Sequence, residues 1–179
     1  MQHLQQARFE TETRLQLQDT IQSIIGGNSF CYLNLQVGGG EGGWISDPTI
    51  ICNGKYPMYD VAVRLYDPDD FAVVQPGLSM QEFLAKDLFS TEVGNMGVGQ
   101  ARPFPLTRKI NLRDVNQKVL RAQISARNGF FSEDILLKKV GEHWLRAIRI
   151  FKGFSSDQIH EWADQEFPRD ANGKVQWAD

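Results

Sequence analysis

Between Phe30 and Val37 the polar residues Tyr32, Asn34 and Gln36 alternate with Cys31, Leu33, Leu35 and Val37, the period-two pattern of a half-buried strand. A shorter apolar run, Thr49-Ile50-Ile51-Cys52, follows the Gly38 to Gly43 loop and the Asp47-Pro48 break. Asn53-Gly54-Lys55-Tyr56-Pro57 then reads as a turn in which Gly54 takes a positive φ and Pro57 fixes its own. From Met58 to Asp67 the alternation is clearest, with Tyr59, Val61, Val63 and Leu65 on the buried side and Arg64 on the other. On that register Val63→Asp is expected to be severe and Arg64→Ala to cost little.

Asp67-Pro68-Asp69-Asp70 ends the strand. Ser79-Met80-Gln81-Glu82 is a capping box, and Phe83, Leu84 and Leu88 supply the apolar positions of a short inserted helix. Extended sequence resumes from about Val98 to Leu112, where Pro103 and Pro105 each remove a ladder donor and so predict an edge strand. An antiparallel meander over 118–152 follows. In it Leu120, Ala122, Ile124 and Ala126 alternate with polar residues, Asn128-Gly129 marks a hairpin, and Gly141-Glu142-His143 turns the chain into Trp144 to Phe151. Ser156 is placed to cap a final helix with Ile159, Trp162 and Ala163 facing the body, ended by Phe167-Pro168.

The first 25 residues, rich in Gln, Arg and Glu and lacking Gly and Pro, favour helix. Leu17, Ile21 and Ile24 share one face, but Glu10 and Arg14 occupy the equivalent earlier places, so the apolar stripe covers only the last two turns. The expected object is a stalk whose C-terminal end docks through those three side chains, while its first half is mobile or self-associates, and Gly26-Gly27 stops it. Many short strands without strand–helix alternation predict a mainly β fold, an antiparallel immunoglobulin-like β-sandwich with an N-terminal helix, a short inserted helix and a C-terminal helix. The division expected is helix over 1–27, β-sandwich over 28–153, and C-terminal helix with polar tail over 154–179.

Composition narrows the function without naming it. A chain of 179 residues with 41% hydrophobic content and 11 Phe has enough apolar surface for one core. Nineteen basic residues against 22 acidic ones give no general affinity for nucleic acid phosphates. No apolar run approaches the roughly 20 residues that span a bilayer, so the chain as given is expected to be soluble. Cys31 and Cys52 form no metal quartet and are read as buried free thiols, with their pairing left open.

The motifs that resemble chemistry fail their context tests. Gly38, Gly40 and Gly43 fit a dinucleotide fingerprint, but Trp44-Ile45-Ser46-Asp47-Pro48 cannot open the required helix. Asp170, Asn172 and Gly173 suggest a calcium loop without its closing Glu and are read as a polar turn. His3, His143 and His160 lack metal-site spacing, and Asp69-Asp70 and Glu133-Asp134 are read as solvated acids rather than a hydrolase pair. No catalytic residue, metal or cofactor is therefore assigned. Loop aromatics are the remaining candidates, because rings give large contact area at little entropic cost. Trp44, Tyr56 and Phe130 are singled out as contacts for a protein or small ligand.

The segments Gly26-Gly27-Asn28-Ser29-Phe30-Cys31-Tyr32, Gly54 to Val61, Ser125 to Phe131 and Phe167-Pro168-Arg169-Asp170 together resemble an uncharacterised bacterial membrane-anchored family. In that family a juxtamembrane helix reads into a small immunoglobulin-like β-sandwich. The resemblance implies a membrane-proximal domain held by an anchor outside this chain, and it implies no substrate. The expected role is a non-enzymatic interaction or sensor module. A carbohydrate- or peptide-binding module using loop aromatics is the alternative, and a hydrolase ranks below both.

Overall fold

The computed structural model describes residues 2–38, 44–71, 79, 81–82, 85–110, 112–153 and 155–177, with side chains from residue 5 onward. Helix α1 (Gln2–Ile25) precedes β1 (Phe30–Asn34), β2 (Val37–Gly38), β3 (Trp44–Ile45), β4 (Thr49–Asn53) and β5 (Met58–Tyr66). Then come β6 (Phe89–Met96), β7 (Ala101–Pro103), β8 (Gln117–Ala126), β9 (Gly129–Val140), β10 (His143–Lys152) and β11 (Gln158–Ala163). A six-stranded sheet has the order β11-β10-β9-β8-β5-β6, and a three-stranded sheet the order β1-β4-β7; β2 and β3 pair separately. Every pairing is antiparallel. Among the described residues no helix is long and apolar enough to cross a membrane.

The two larger sheets share one core, in which Leu33 and Ile50 of the small sheet meet Val63, Leu65, Leu120 and Ile135 of the large one. A second cluster lies behind the large sheet, where the C-terminal tail lays Phe167 and Val175 over Leu136 and Ala147. The meander expected over 118–152 is β8, β9 and β10, joined by a tight turn at Arg127-Asn128 and another at Gly141-Glu142. Strand β7 carries Pro103 at the edge of the small sheet, where a missing donor leaves no ladder bond unmade.

Strand β5 departs from perfect alternation. Asp60 has a φ of 55°, and the register with β6 shifts between Met58 and Val61. This bulge inserts one residue, so Met58 enters the core and Tyr59, expected there, lies half-buried with the Arg127 guanidinium 5.0 Å from its ring centre. Val61, Val63 and Leu65 are buried as the pattern predicts. Arg64 does face the other way, but it is no idle surface residue: its Nε lies 2.8 Å from both carboxylate oxygens of buried Asp87.

Two helix expectations change. Leu17, Ile21 and Ile24 are 61%, 49% and 55% exposed, so α1 does not dock through them. Its hold is polar and close to its C-terminal end: Asp19 accepts from the Lys55 ammonium and from the Tyr56 hydroxyl at 2.6 Å. The Tyr56 ring closes on Gly27, where a Cβ would stand 2.5 Å from it, and Asn128 Nδ2 donates to Gly27 O at 3.1 Å and Ser29 O at 2.7 Å. The C-terminal segment read as helix is strand β11, because Ile159, His160 and Trp162 suit a strand as well as a helix face and the free edge of β10 supplies the ladder. In the insert, Ser79 and Glu82 make the reciprocal capping bonds and 81–82 are helical. Met80, Phe83 and Leu84 lie outside the described residues, as do Gly40 and Gly43.

Candidate functional site

Three strands cannot cover six. β1 is an edge of the small sheet, and beyond it the inner faces of β10 and β11 are covered only in part. The antiparallel register sets Trp162 opposite Ile148 and His160 opposite Ile150, so both rings stand on the core-facing side at the sheet margin. On β1 the residues alternating with buried Cys31 and Leu33 are Tyr32 and Asn34. A cleft of about 250 Å³ results, lined by Tyr32, Asn34, Leu35, Ile135, Arg146, Ile148, His160 and Trp162.

Its walls are held by contacts that fix each side chain. His160 packs 5.4 Å from the Phe30 ring centre and 6.2 Å from that of Tyr32. Arg146 donates through Nη1 to Asn34 Oδ1 and to the Leu35 carbonyl, and through Nη2 to Asp164 Oδ1 at 3.3 Å. Asp164 in turn accepts the Arg146 backbone N–H at 2.7 Å. The guanidinium carbon lies 4.8 Å from the Trp162 ring centre, within cation–π range, so cation and indole fix one another. Because Asn34 spends its carbonyl oxygen on Arg146, its amide contributes donors to the lining. Trp162 is 42% exposed, a large ring within reach of an incoming group. Arg146 also borders a more open groove of about 640 Å³ formed with Gln36, His143 and Asp164 to Glu166.

The adjacent acids Glu133 and Asp134, expected to be solvated, are both buried and on opposite sides of the sheet. Glu133 enters the core, where one carboxyl oxygen accepts the Leu33 backbone N–H at 2.8 Å and Oε1 has no hydrogen-bond partner. Burial pushes its carboxyl well above the usual carboxylate range, against the Leu33 N–H and with the help of the Asp134 charge. Asp134 faces outward between Arg121 Nε at 2.8 Å and Arg149 Nη2 at 2.9 Å. The sheet therefore separates this pair, which cannot act on one substrate. Asp69 pairs with Lys118 and Asp70 with Arg108. Asp170 accepts the N–H groups of Asn172 and Lys174, as a polar turn requires.

The three aromatics singled out from sequence do not converge. Trp44 stacks its indole on Gly38, where a Cβ would sit 1.8 Å from Nε1, and is 56% exposed. It lines a separate hollow with Leu106, Arg108 and Lys109. Tyr56 is the joint between α1 and the body, and Phe130 is half-buried at the start of β9. Tyr32, Arg146, His160 and Trp162 were not picked out as contacts. Trp162 and His160 were hidden by the helical reading of their segment, while Tyr32 and Arg146 look like ordinary outward residues of strands. The register of β11 on β10 was the missing signal. Against protein-family models, curated proteins and solved structures, the chain matches none.

Proposed function

We propose that the chain is a non-enzymatic interaction module, an immunoglobulin-like β-sandwich carried on a helical stalk, and that the cleft between β1 and β10–β11 takes one ring presented by a larger partner. The observation that carries this reading is the convergence of Tyr32, His160 and Trp162 with the polar groups of Asn34 and Arg146. At about 250 Å³ the cleft lies just under the roughly 300–1,000 Å³ of pockets for drug-sized ligands, which suits a single saccharide ring or aromatic side chain. A ring stacks on Trp162, and its hydroxyl or carbonyl groups meet the Asn34 amide, His160 and the Arg146 guanidinium. The polar hold at Tyr56 and the exposed length of α1 support the stalk. Membrane proximity rests on the family resemblance alone.

The test is a ¹H–¹⁵N NMR titration with methyl glycosides in one arm and blocked Tyr and Trp dipeptides in the other. Shifts confined to Tyr32, His160, Trp162 and the Arg146 side chain, lost in Trp162→Ala with an unchanged thermal midpoint, support the reading. Binding that maps to Trp44 or to the outer face, or no binding of either class at millimolar concentration, overturns it.

A further inference from the structure

The chain has only two cysteines and four methionines, and in the core Cys31 meets two of the methionines while Cys52 stands across from it in the same cluster. Cys31 of β1 stands opposite Cys52 of β4, and Met58 of β5 stands opposite Met96 of β6. Each sheet thus contributes one register pair. Cys52 directs its N–H to Gln100 O and its carbonyl to Gly99 N, both at 3.0 Å and away from β1. Cys31 and Cys52 are therefore a non-hydrogen-bonded pair, the kind whose side chains approach more closely. Across that pair, Cys31 Sγ lies 3.4 Å from Met58 Sδ and 3.8 Å from Met96 Sδ. The Asp60 bulge is what brings Met58 here, since perfect alternation would have faced it outward.

We propose that Cys31, Cys52, Met58 and Met96 form a binding site for a single Cu(I) ion. Two thiols and two thioethers are the donor set that selects a soft monovalent metal over the harder divalent ions. With metal–sulfur bonds of about 2.3 Å, neighbouring ligands of a tetrahedral centre stand roughly 3.8 Å apart, so the spacings from Cys31 to Met58 and to Met96 need little change to admit the ion. Cys31, Met58 and Met96 are fully buried and Cys52 is 1% exposed, a dry setting that excludes competing water ligands. The turn at 97–100 is held to the Cys52 backbone by two hydrogen bonds. As the bonds form, Cys31 and Cys52 each release a proton to solvent and a sulfur lone pair goes to the metal. No electron is transferred. The thioethers add without losing any group.

The reduced protein is titrated anaerobically with Cu(I) buffered by a competing chromophoric chelator, and the loaded form is examined by X-ray absorption. One Cu(I) per chain with three or four sulfurs is expected. Met58→Leu and Met96→Leu should each weaken binding by at least the 10–100-fold that loss of an outer-shell partner costs in metal sites. Each should also remove one sulfur from the absorption spectrum. Leu matches Met closely in volume, so the metal-free thermal midpoint of each variant checks that the fold persists. Two-sulfur linear coordination, affinity unchanged in both Met→Leu variants, or binding retained in Cys31→Ala/Cys52→Ala would each overturn the site.

Discussion

Because strand side chains alternate, Glu133 enters a dry core while Asp134, one residue on, faces two arginines. The carboxyl of Glu133 has an ordinary value of 4.5, which burial raises well above that in the folded protein; the Asp134 charge raises it further, and the Leu33 N–H opposes both. Below the unfolded value both states hold the proton and no penalty exists. Above it the folded state retains a proton the unfolded chain has released, so stability is lost as pH rises towards the folded pKa. Glu133→Gln removes this titration at nearly constant shape. Chemical denaturation from pH 4 to 8 should show the variant gaining on the wild type above pH 4.5, by up to about 1.4 kcal/mol per pH unit. Parallel curves would mean that Glu133 is ionised in the fold. A second residue-scale expectation reverses what the alternation of β5 suggested. Arg64→Ala leaves Asp87 buried without its guanidinium and should cost about 2–4 kcal/mol in urea, with Val63→Asp at least as costly. Sequence showed which face Arg64 takes but not that an acid 23 residues away waits there. That partner is a product of register, which the pattern within one strand does not contain.

At the scale of elements, strands β1, β4, β5 and β8 to β10 were legible, while β6, β11 and the helix contacts were not. The alternation in β1, β5 and β8, the Asn128-Gly129 turn and the edge prolines all act locally, so each can be read where it stands. Docking of α1 and pairing of β11 depend on what lies across from them. The six residues of β11 offered Ile159, Trp162 and Ala163 at helical spacing, yet the open edge of β10 decided the outcome. Residues 5–15 are all exposed, so removing the first 15 residues should shift the thermal midpoint by no more than about 2 °C, and Ile21→Asp should cost under about 0.5 kcal/mol. Tyr56→Ala, by contrast, removes a hydrogen bond to Asp19 and the ring over Gly27. Amide exchange should then speed up through the last turns of α1 while β8 to β10 keep their protection. Uniform loss of protection would show that the joint is part of the core instead.

For the whole molecule, the large sheet is buried on two sides by different means: the small sheet on the inner face, and on part of the outer face the C-terminal tail. Phe167 is 2% exposed over Leu136 and Ala147, and Trp177 holds the tail down by donating to Glu161 at 3.2 Å and lying 4.3 Å from the Arg149 guanidinium. Phe167→Ala should therefore destabilise by about 3–5 kcal/mol, measured by urea unfolding, although no strand is touched. A loss under 1 kcal/mol would reduce the tail to an ornament. The bond between Leu33 and Glu133 spans 100 residues, and it has a consequence in time. At roughly 5–20 residues per second on the ribosome, β1 leaves the tunnel about 5–20 s before the strand that covers it exists. Cys31, Leu33 and the strands that follow must wait with their apolar faces uncovered, while β8, β9 and β10 meet their partners almost as they are made. Assembly then begins at the later-made meander, and β1, made well before it, is among the last to find its place.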